Sequence, residues 1–117
     1  MSSNPLSVGK SYRLLLPDGR ALGRVTIERI VDEWAEGPFT AAPSFQEYRE
    51  LFEREARMRH DQVIPLWEQA ADAIEALQIE VAEEGQDIVH LGMRVFVEAS
   101  EAGMAPPSMT PCWRVRL

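Results

Sequence analysis

The chain reads as an α+β protein: a mostly antiparallel sheet, in the order β-β-(β)-α-α-(β)-β-β, covered on one face by two helices. Three observations predict this. Apolar and polar residues alternate near both ends, as in Val25-Thr26-Ile27-Glu28 and Met93-Arg94-Val95. Between those ends, Ser44 to Leu77 carries two helical patterns that meet near Pro65. The helices are therefore grouped between hairpin-like strands, which favours separate layers over repeated β-α-β units.

Taken in order, residues 1–10 are polar, contain Pro5 and Gly9, and read as a loose lead-in. Ser11–Leu16 reads as a strand with Tyr12, Leu14 and Leu16 on one face. Pro17-Asp18-Gly19-Arg20 is turn chemistry, since proline presets φ and Asp-Gly tolerates the left-handed region. A return strand follows from Ala21 to about Val31, with Val25 and Ile27 inward. Glu33–Thr40 reads as a short third strand that Pro38, lacking an N–H, confines to an edge or a bulge.

Ala41-Ala42-Pro43 breaks the chain before Ser44-Phe45-Gln46-Glu47, which reads as a capping box opening a helix from Phe45 to about His60. Phe45, Tyr48, Leu51, Phe52 and Ala56 share one side of that helix. Proline clashes with the preceding turn inside a helix but fits its first turn, so either one long helix kinks at Pro65 or, the preferred reading, a second helix starts near Ile64. Its apolar stripe is Trp67, Ala70, Ala71, Ile74 and Leu77. Ile79-Glu80-Val81 reads as a short strand ended by Glu83-Glu84-Gly85, and Met93–Glu98 as a longer one. Gly103 to Pro111, rich in proline, reads as a loop, and Cys112–Leu117 as a closing strand with Trp113, Val115 and Leu117 on one face.

At 117 residues the chain is one domain by size, burying roughly two-thirds of the surface it exposes unfolded. Cys112 is the lone cysteine, which fits a reducing compartment. No apolar run approaches the ~20 residues that span a bilayer, and the amino terminus lacks the pattern of a signal peptide. The expected location is the cytoplasm. The net charge of −7 is uneven: residues 61–101 hold ten acidic side chains and Arg94 alone as a cation. Such a surface argues against a nucleic-acid partner and favours a basic protein, and the lack of a spanning run leaves no membrane partner expected.

No phosphate loop, nucleophile elbow or paired histidine motif occurs. His60 and His90 lack a metal-ligand neighbour at the required spacing, so no metal, cofactor or catalytic residue is assigned. Arg13, Arg20, Arg24 and Arg29 make the first hairpin basic, diluted by Asp18 and Glu28.

Glu55 and Arg59 break the local pattern, because they project from the centre of the apolar stripe of the first helix. The ordinary expectation is a solvated last turn, since charged side chains are mostly exposed. The alternative is a polar ligand site made by Tyr48, Glu55 and Arg59, where burial would perturb the carboxylate. Overall, the composition suggests a small non-catalytic interaction protein, in the physical class of immunity proteins, antitoxins and inhibitors. Its basic partner would meet Glu68, Asp72, Glu75, Glu80, Glu83 and Glu84. A ligand-binding or enzymatic module is the alternative, and a homodimer pairing through the Cys112–Leu117 edge is the third.

Overall fold

A computed structural model describes residues 4–106. It contains two α-helices and an eight-stranded, curled antiparallel sheet, so the α+β class holds. The strands are β1 (Ser11–Leu15), β2 (Ala21–Thr26), β3 (Arg29–Val31), β4 (Trp34–Ala41), β5 (Glu80–Glu83), β6 (Val89–His90), β7 (Arg94–Glu98) and β8 (Glu101–Ala105). The helices are α1 (Arg49–His60) and α2 (Ile64–Glu75). Along the sheet the order is β6-β5-β1-β2-β4-β8-β7, with β3 paired to β4.

The β1–β2 hairpin forms where turn chemistry places it. Gly19 takes φ +92°, its N–H donates to the Leu16 carbonyl at 2.8 Å, and the Asp18 carboxylate accepts the Arg20 N–H at 3.0 Å. Tyr12, Leu14, Leu22 and Val25 then face the core, none more than 1% exposed.

Strand β4 is the centre of the sheet, not its edge. Its first half pairs with β3, its last three residues with β2, and Ala35 to Pro38 with β8. Pro38 is tolerated because β2 and β3 are interrupted opposite it: Val25 faces Phe39 and Arg29 faces Glu36, so three residues span two. At this bulge the backbones come so close that a Cβ on Gly37 would overlap the Thr26 carbonyl oxygen.

Four expectations are corrected. Residues 4–10 are fixed, not loose: Leu6 is in the core, and the Asn4 amide donates to the Glu33 and Met104 carbonyls at 2.8 and 2.9 Å. Ser44 is not a cap. Pro43–Glu47 forms a 3₁₀ turn with no side-chain cap bond, and α1 starts at Arg49. Glu101–Ala105, expected partly as loop, is strand β8 between β4 and β7, where Ala102, Gly103 and Met104 are buried. Gly103 sits opposite Glu36 and Phe96, so small residues suit the crowded middle of the sheet. The solvated last turn of α1 is not found either, as Glu55 and Arg59 are both buried. The expected Cys112–Leu117 strand lies outside the described residues.

Pro65 does separate two helices, standing in the first turn of α2. Helix α1 turns its buried side, Phe52, Glu55, Ala56 and Arg59, towards α2 and β7. Phe96 of β7 is the common contact. Trp34 stacks on it at 5.5 Å and Trp67 meets it edge-on at 6.2 Å between ring centroids. Phe45 of the 3₁₀ turn packs against Phe39 and Phe52, with ring centroids 5.1 and 5.4 Å apart. Among the described residues no helix is long and apolar enough to cross a membrane.

Candidate functional site

The curled sheet brings β5 near β7 in space, although four strands, β1, β2, β4 and β8, lie between them in the sheet order. Helix α2 closes one side of the gap and leaves a cleft of about 600 Å³. Its floor is apolar: Ile74 from α2, Ile79 before β5, and Met93, Val95 and Phe96 of the β7 segment. Glu75, Gln78, Glu80 and Arg94 provide the polar lining, and the Glu75 carboxylate lies 3.7 Å from the Arg94 guanidinium. Leu91 also lines the cleft and is 71% exposed, unusual for a leucine.

Sequence explains the walls. Ala71, Ile74 and Glu75 recur at spacings of three and four, so they share a side of α2, and Gln78 follows just beyond the helix end. Ala71 leaves space where a longer side chain would fill it. Val95-Phe96-Val97 is a continuous apolar run with all three residues buried, the mark of a strand covered on both faces. That run was the available signal for the cleft floor.

The six predicted partner-binding carboxylates do not form one surface. Glu68, Asp72 and Glu75 are exposed together on α2. Glu80 is half-buried at the cleft. Glu83 is buried and accepts a hydrogen bond from Lys10 at 2.6 Å, and that partnership raises the Lys10 pKa. Glu84 accepts a 2.7 Å bond from Arg24.

Tyr48, Glu55 and Arg59 do not meet at one site either. Glu55 and Arg59 form a closed buried pair, with Arg59 Nε and Nη2 donating to the two carboxylate oxygens at 2.8 and 2.9 Å. Trp67 Nε1 donates to the same carboxylate at 2.8 Å, and the Arg59 guanidinium lies over the Phe96 ring at 5.4 Å. Tyr48 is elsewhere, its hydroxyl accepting from Arg20 at 3.4 Å. The polar group therefore sits behind the cleft floor, in contact with Phe96, and its carboxylate is occupied by donors.

The basic hairpin is largely neutralised. Arg20 pairs with Asp18 and Glu47, and Arg24 with Glu84. Arg29 binds Glu36 and Glu101, which raise its pKa. His60 contacts Glu98 through Nε2, while His90 lies in β6 edge-on to Tyr12. Among the described residues no three His, Cys, Asp or Glu side chains converge as a metal site requires. Comparison with protein-family profiles, with curated proteins and with solved structures finds no match.

Proposed function

We propose that this chain is a small non-catalytic binding protein that engages a basic protein partner through the α2 side of the molecule. The carrying observation is that Glu75 belongs at once to the exposed acidic stripe of α2 and to the wall of the apolar cleft. Stripe and cleft therefore adjoin, giving a desolvatable centre beside a charged rim, the usual anatomy of an interface. No cation lies on α2, where like charges repel, and a partner's Lys and Arg side chains would relieve that repulsion. Glu55, the buried carboxylate of α1, supports a non-catalytic reading because Arg59 and Trp67 occupy it. The single cysteine and acidic charge fit work in the cytoplasm.

A second reading, a small-molecule site, is favoured by size, because ligand pockets run from about 300 to 1,000 Å³. The partner reading is tested by recovering partners and measuring association with Glu68→Gln, Asp72→Asn and Glu75→Gln combined. The rate should fall in the triple variant, and wild-type binding should weaken with salt. A partner that binds the neutral variant equally fast at low salt contradicts it.

A further inference from the structure

We propose that the cleft is the anchor site of that interface, receiving bulky apolar side chains of a partner segment whose adjacent arginines or lysines lie on the acidic lip. The inference rests on the partner reading above and adds to it the chemistry of the recognised segment. Glu75 is three residues beyond Asp72 and seven beyond Glu68, so the three carboxylates run in a row beside the wall formed by Ala71 and Ile74. Glu80 adds a carboxylate from the β5 side, against Arg94, the one cation among the described lining residues. The lining is thus apolar below and net negative above.

A wholly apolar occupant would leave Glu75 and Glu80 beside hydrocarbon, and a purely basic one would leave Ile74, Met93, Val95 and Phe96 uncovered. A segment with both kinds of side chain satisfies both parts. The chain's own Trp113-Arg114-Val115-Arg116-Leu117 has this make-up, so occupancy by that segment or by a second copy must be separated from a foreign partner.

The experiment titrates the full chain with a synthetic peptide lacking tryptophan, Gly-Arg-Leu-Arg-Leu-Arg-Gly, and follows tryptophan emission. Trp34 and Trp67 both touch Phe96, a cleft-lining ring, so an occupied cleft changes their surroundings. Saturable binding is expected, with loss of about tenfold or more in affinity when both leucines become serine. Ala71→Leu, which fills the cleft, should weaken binding to a similar degree. Leu91→Ser, at an exposed position, gives a second variant should the first fail to fold, and should weaken binding several-fold.

If the serine peptide binds as tightly as the leucine peptide, the anchor is wrong while the acidic stripe stands. If the leucine peptide binds the Glu68, Asp72 and Glu75 neutral variant unchanged, the partner reading itself fails. Binding that appears only after Trp113→Ala and Leu117→Ala would assign the cleft to the chain's own segment and overturn the proposal. So would a concentration-dependent doubling of mass that Leu91→Ser abolishes.

Discussion

Arg59 holds Glu55 by both carboxylate oxygens, and neither side chain is more than 1% exposed. A buried ion pair is expensive to desolvate, so its geometry and its extra partners decide whether it is tolerated. Here Trp67 donates a third hydrogen bond from α2, and the Phe96 ring covers the guanidinium from β7. The pair therefore joins α1, α2 and β7 in one arrangement behind the cleft.

Breaking one side of this group should be costly. Glu55→Gln removes the carboxylate charge that faces the buried Arg59 guanidinium, and should destabilise the fold by about 3–5 kcal/mol. Replacing both residues together, Glu55→Leu with Arg59→Met, should cost much less. The remainder is the orphaned Trp67 N–H, about 1–3 kcal/mol. Denaturant melts of the single and double variants check the contrast. Equal losses would mean that the pair is not the unit described.

Trp67 divides its contribution between packing and its hydrogen bond. Trp67→Ala should cost about 3–5 kcal/mol through the void it leaves. Trp67→Phe keeps much of the packing and loses the bond to Glu55, so a smaller loss is expected. A loss below about 1 kcal/mol for Trp67→Ala in urea would contradict the packing against Phe96.

Gly37 tests the bulge. A Cβ there would overlap the Thr26 carbonyl, a backbone group that cannot swing aside, so Gly37→Ala should prevent folding or cost at least about 4 kcal/mol. Gly85 offers the control: its φ is +81° but nothing lies within 4 Å of an added Cβ. Gly85→Ala should cost only the left-handed strain, about 1–2 kcal/mol. Circular dichroism melts of the two variants give the comparison.

The hairpin turn has a pH signature. The Arg20 N–H, and after it the Arg20 side chain, hold the Asp18 carboxyl below its ordinary value. A depressed carboxylate stabilises the fold above the unfolded value, near ~3.9, and that contribution is lost as pH falls through the folded value. Carboxyl titration by NMR should find Asp18 low in the wild type. It should remain low, though less so, in Arg20→Ala, which keeps the backbone donor. A return to the ordinary value in that variant would show that the side chain, not the backbone, sets the shift.

Local chemistry made part of this fold legible. Pro17-Asp18-Gly19 announced the first hairpin, and Pro65 announced the break between helices, because each acts on its own backbone. What escaped depends on distant partners. Glu101-Ala102-Gly103-Met104-Ala105 has weak strand propensity, and it is a strand because β4 and β7 flank it. Glu55 and Arg59 broke the apolar pattern visibly, but their burial follows from Trp67 and Phe96, far along the chain. The cleft was not legible either, since it depends on the curl that brings β5 near β7. The acidic stripe of α2 was legible, as helical spacing alone fixes it.

The most direct test of the binding surface is an NMR titration of the full chain, assigned at backbone amides, with the leucine-arginine peptide. Shift changes should concentrate at Ala71, Ile74, Glu75, Ile79 and the Met93–Phe96 segment, and diminish with added salt. Changes centred instead on the β1–β2 turn or on the outer face of α1, with the cleft residues unmoved, would contradict the account.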